Sequence, residues 1–99
     1  MPSYTPPLRD MQFVLHEVLH VTDDLKQMPK HADMDADTIS AVLEEGGKFA
    51  SEVIFPLNQV GDEQGCILDR DTHEVKTPDG FKAAYDQYVQ GGWPALSAD

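Results

Sequence analysis

The sharpest chemical pattern in the chain is His16-Glu17-Val18-Leu19-His20, an H-E-x-x-H run. On an α-helix, residues four apart share a face, so His16 and His20 could grip one zinc ion while Glu17 takes a proton from its bound water. The surrounding apolar spacing does put this run on a helix, but no third ligand follows. Val21-Thr22-Asp23 supplies neither the glycine nor the further histidine of the extended pattern, and nothing positions His31, Glu44 or Glu45. We therefore read the pair as polar residues on the solvent side of an amphipathic helix and assign no metal ligand.

Four other features meet similar objections. Asp33, Asp35, Asp37 and Glu44 occupy positions 1, 3, 5 and 12 of a calcium-binding EF-hand loop. Thr38 stands where the sharp turn requires glycine, Ser40 where an apolar residue packs, and Pro29 spoils the entering helix, so these acids read as a helix start. Glu44-Glu45-Gly46-Gly47-Lys48 resembles a phosphate loop only in part, because Val42 and Phe49 replace its glycine and its serine or threonine. Cys66 has no neighbouring base and, as the single cysteine, no internal disulfide partner, which fits a reducing compartment. Tyr85, Tyr88 and Trp93 suit packing against other helices better than a pocket wall. No residue is assigned a catalytic, cofactor-binding or metal-binding role.

The elements that would carry these residues follow from periodicity. Residues 1–7 hold three prolines and read as an extended arm. From residue 8 to 20, Met11, Val14, Leu15 and Val18 keep the spacing of a helix face, with Met11 in the core. Residues 23–34 carry no apolar period and Pro29 interrupts them, so they read as a linker. A longer helix over 37–60 is capped by Asp35 or Asp37. Its stripe comprises Ile39, Val42, Leu43, Gly46, Ala50, Val53, Ile54 and Leu57. Gly46, Gly47 and Ala50 allow close approach by a neighbour, Pro56 predicts a kink, and Gly61 and Gly65 bracket the end. A short hairpin is expected over 66–76. A third helix over 79–90 is stopped by Gly91-Gly92, after which Trp93-Pro94-Ala95-Leu96 runs outward. The expected fold is all-α, with three main helices and one small hairpin.

Composition bounds the function. Ninety-nine residues make one domain at most, and 40% hydrophobic residues can supply a modest core. Eighteen acids against seven Lys and Arg leave a net charge of −11, which argues against gripping nucleic acid or an anionic membrane. No apolar run reaches the roughly 20 residues of a spanning helix. A soluble, cytoplasmic protein is expected.

Three stretches carry a family resemblance: PPLRDMQFVLHEVL at 6–19, EEGGKFASEVIFPLNQVGDEQGC at 44–66 and TPDGFKAAYDQYVQGGWPALSAD at 77–99. In order, they resemble the amino-terminal region of bacterial acyl-CoA dehydrogenases, in the branch of 3-(methylthio)propanoyl-CoA dehydrogenase-like enzymes. The resemblance implies that residues 1–99 are an amino-terminal helical domain, a fragment of a longer, homo-oligomeric flavoenzyme. That enzyme would bind FAD and an acyl-CoA substrate and carry out α,β-dehydrogenation of the thioester. It further implies that the flavin site and the catalytic glutamate lie in later domains. Glu17, Glu44, Glu45, Glu52, Glu63 and Glu74 match no family motif for that base, so no catalytic residue carries over. The role implied here is structural, packing on later domains and walling the acyl channel. The competing reading is a stand-alone acidic helical module that binds a protein partner.

Overall fold

The computed structural model describes residues 3–97. It is a helical protein with one two-stranded antiparallel sheet, as the periodicity predicts. The chain divides into two compact units that part between Ser51 and Glu52.

In the first unit, helix α1 (Leu8–Gln12) opens after Pro7 and continues as a π-helical segment, Phe13–Val18. The amide of Leu19 donates to the Val14 carbonyl at 2.9 Å, a five-residue closure that turns each later residue away from its α-helical position. His20 then takes a left-handed conformation (φ 50°, ψ 47°) and ends the helix. Helix α2 (Val21–Lys26) starts at once, followed by a 3₁₀ turn over Pro29–His31. This corrects the expected linker over 23–34. Val21, Thr22 and Leu25 are the half-buried residues of α2, and only two of them are apolar, too few to show an apolar period. Asp23 and Asp24 in its first turn and Lys26 in its last suit the helix dipole.

Helix α3 (Ala36–Phe49) has its cap on Asp35, whose Oδ1 accepts from the Thr38 amide at 2.7 Å. The approach allowed by the small residues is made by the chain that leads into α1. A Cβ built on buried Gly47 would lie 2.8 Å from Pro6 Cγ and 3.3 Å from Leu8 Cδ2. Ile39, Leu43, Gly46 and Ala50 of the expected stripe are half-buried, whereas Val42 is exposed.

The cap makes one acid test. The Thr38 amide holds the Asp35 carboxyl below its ordinary value of 3.8. A carboxylate with a lowered folded pKa stabilises fully above the unfolded value, about pH 4, and loses that contribution as pH falls through the lower folded pKa. The Asp35 carboxyl carbon should therefore titrate, by NMR, below a blocked aspartate peptide, and Asp35→Asn should retain α3 while abolishing this component of acid sensitivity. Titration at the peptide value would remove the cap from the account.

The second unit begins inside another π segment, Ala50–Ile54, which gives way to helix α4 (Pro56–Gln64). Pro56 has no N–H for the preceding turn, and the irregularity expected around residues 53–56 takes this π form. The helix runs on through Gly61 to Gly65 (φ 62°), so Gly61 is a packing residue and not an end signal. Phe81 lies over it, with Phe81 Cζ 2.7 Å from where a Cβ would stand.

Strands β1 (Ile67–Leu68) and β2 (Val75–Lys76) pair Ile67 with Lys76 and Leu68 with Val75. The Asp69 Oδ1 accepts from the amides of Asp71 and Thr72 at 2.9 and 3.3 Å inside the hairpin loop. Those amides, that of Asp71 first, also lower the Asp69 pKa. Helix α5 (Phe81–Gln90) follows Gly80, which has φ 85° and lies against Leu57. Gln64 Nε2 donates to Asp79 Oδ2 at 3.1 Å and Gln64 Oε1 accepts from the Asp79 amide at 2.9 Å, joining the end of α4 to the start of α5. Trp93–Ala95 forms a 3₁₀ turn, correcting the expected outward run, and Trp93 packs back over Gly91. Among the described hydrophobic residues only Ala84 is fully buried.

Candidate functional site

The H-E-x-x-H residues are placed by the π segment. His16 is half-buried and its Nε2 lies 3.5 Å from Ser40 Oγ of α3, while His20 sits beyond the helix in its left-handed turn. Zinc ligation by such a pair relies on one regular α-helical turn between the two imidazoles. Here the backbone ladder across them is a five-residue one and the helix has ended at the second. Among the described residues no group of three or more His, Cys, Asp or Glu comes together to hold a metal ion.

The acids with EF-hand spacing are divided among a turn, which holds Asp33, a cap and a helix. Asp35 is the cap of α3, and Asp37 and Glu44 ride on the helix itself. Gly46, Gly47 and Lys48 also lie within α3 and form no loop around a phosphate. Cys66 is exposed between Gly65 and β1. Glu17, Glu44, Glu45, Glu52, Glu63 and Glu74 are all exposed, so none sits in the desolvated pocket that would tune a carboxylate for proton abstraction.

One recess was not legible in the sequence. Arg9, Gln12, Phe13, His16 and Glu17 line an open hollow of about 450 Å³ on the side of the α1 helix. Their spacing of three, four, seven and eight residues is a helix-face signal, but four of the five are polar and a search for apolar stripes passes over them. The hollow offers one guanidinium, one amide, one imidazole and one carboxylate around a phenyl ring. That set suits contacts with a polypeptide surface better than acid–base chemistry, for which no reacting pair is aligned.

The comparisons with known proteins point one way. The chain is 37% identical over 95 residues, 96% of its length, to a 3-methylmercaptopropionyl-CoA dehydrogenase of Ruegeria pomeroyi. It is 30% identical over its whole length to a broad-specificity linear acyl-CoA dehydrogenase of Mycobacterium tuberculosis. A butyryl-CoA dehydrogenase of Syntrophomonas wolfei is 31% identical over 91% of the chain. No family model matches the sequence. The chain belongs to the acyl-CoA dehydrogenase family. It spans 15–16% of the length of these relatives.

Proposed function

We propose that these residues form the amino-terminal helical domain of an FAD-dependent acyl-CoA dehydrogenase and serve it structurally, packing on later domains and walling the acyl channel. The carrying observation is the end-to-end match of nearly the whole chain to a small fraction of three dehydrogenases with differently described substrates. A segment shared by enzymes of different acyl preference suits a common scaffold better than a specificity element. The intact protein would take an acyl-CoA, work as a cytoplasmic homo-oligomer and oxidise the Cα–Cβ bond of the thioester. Among the described residues no helix is long and apolar enough to cross a membrane.

The hollow and the glycine pair at 46 and 47 do not fit FAD. A flavin dinucleotide asks for backbone or cationic donors around its pyrophosphate. Arg9 is the only cation in the hollow, where Glu17 opposes it, and the glycines at 46 and 47 are inside a helix. The flavin would belong to other parts of the enzyme, and no reaction step is assigned to this chain.

The test compares two preparations. The 99 residues alone should purify colourless and leave an electron acceptor unreduced with short-, medium- or long-chain acyl-CoA, while the intact polypeptide carrying them should be yellow and active. Catalysis needs base, thioester and flavin held in one geometry, and that positioning supplies much of the rate. A yellow, active 99-residue preparation would overturn the placement of the active site. A colourless, inactive intact polypeptide would overturn the family activity.

A further inference from the structure

Helix α1 and the π segment that continues it carry apolar residues on both the buried and the exposed side. The side facing α3 carries Leu8 and Leu15 but also the polar Gln12 and His16, all half-buried, with His16 beside Ser40. Away from α3 stand Phe13, Val14, Val18 and Leu19, with 53, 44, 55 and 56% of their surface open, and Met11 beside them. This corrects the expectation that Met11 lies in the core and divides the expected stripe, of which Leu15 is half-buried and Met11, Val14 and Val18 are exposed. An ordinary surface helix keeps its apolar stripe inward. A contiguous apolar patch rimmed by polar residues marks an interaction surface, and the hollow beside Phe13 gives it relief.

We propose that this outward face of α1 and the π segment after it is the surface by which the segment docks onto the remaining dehydrogenase polypeptide, with Phe13 and Val18 as its anchors. The proposal rests on the function proposed above and adds the contact face. Two observations select the occupant. The relatives are about six times longer than this chain, which matches 15–16% of them, so most of such a polypeptide lies outside these residues. A second copy is a poor occupant, because it would set one net charge of −11 against another. The facing surface should be apolar at its centre. It should carry a carboxylate opposite Arg9 and a Lys or Arg opposite Glu17, the charges at the rim of the hollow.

Thiol accessibility in the intact polypeptide tests this. With Cys66 replaced by serine, Val18→Cys and, separately, Phe13→Cys are treated with a water-soluble maleimide, native and in urea. Asp24→Cys, on the exposed side of α2, is the reference. We expect native labelling of the Val18 and Phe13 thiols to be suppressed several-fold relative to urea and to the reference, independent of protein concentration. Labelling at the reference rate in both variants would overturn the proposal by leaving the face open to solvent. Suppression that disappears on dilution would overturn it in favour of a second copy. Acyl-CoA oxidation by the intact polypeptide that keeps Phe13 and Val18 and carries only the Cys66→Ser change reports separately on the proposed function, so either reading can fail alone.

Discussion

Replacing Gly80 by valine should lower the stability of the second unit by about 2–4 kcal/mol. Gly80 holds φ 85°, a region in which a β-branched residue is a genuine outlier, and the left-handed region alone costs an L-residue roughly 1–2 kcal/mol. The same substitution meets Leu57, whose Cδ2 lies 2.7 Å from the position of a Cβ. Overpacking of this kind costs about 1–3 kcal/mol, here toward the low end because the end of a leucine side chain can swing. Trp93, the single tryptophan, belongs to this unit and reports its unfolding by fluorescence. For a domain of this size about 2–4 kcal/mol lowers Tm by roughly 10–25 °C. A Gly80→Val protein whose Trp93 transition matches the wild type would show that the turn is not confined as described.

The second large effect is expected at Gly47, where two substitutions separate opposing terms. Alanine gains about 1 kcal/mol of helix propensity over glycine. Its Cβ, however, would stand 2.8 Å from Pro6 Cγ and 3.2 Å from Pro6 Cβ, and a proline ring cannot rotate aside. Gly47→Ala should therefore be close to neutral or mildly destabilising. Gly47→Leu adds bulk without further propensity and should cost about 1–3 kcal/mol more, displacing Pro6 and Leu8 from α3. Circular dichroism at a helix band, followed through urea unfolding, measures both. A leucine variant as stable as the alanine one would mean that the Pro6 contact is not part of the folded first unit.

What the sequence disclosed depended on how local each signal was. The Asp35 cap needs only one side chain and an amide three residues on, so the start of α3 was readable almost to the residue. The hairpin was readable because the polar run Asp69-Arg70-Asp71-Thr72-His73 lies between Ile67-Leu68 and Val75, and Ile67–Leu68 and Val75–Lys76 do pair. Helix α2 was not, since only two of its three inward residues, Val21 and Leu25, are apolar and two make no period. The exposure of most of the first stripe was hidden for a different reason. Periodicity identifies a stripe but not the direction in which it points, and of the expected stripe Leu15 is half-buried while Met11, Val14 and Val18 are exposed. The π segment compounded this, since a regular helix was assumed through His16 and His20 and no proline or glycine between Phe13 and Val18 announces otherwise. For the functional site, the negative arguments about missing ligands and turn glycines depended on residue types alone. The hollow beside Phe13 required coordinates, because polar residues around one phenyl ring leave no apolar signature.

The reciprocal bonds between Gln64 and Asp79 also have a topological meaning. They bring together the two ends of the excursion that holds the hairpin, so α4 and α5 are registered by a clasp at its base and not by the path between. Closing a longer loop costs only about 0.6 kcal/mol for each doubling of its length. The stretch from Cys66 to Thr77 is thus a detour whose length and sequence can drift while the helix pair it interrupts stays in step.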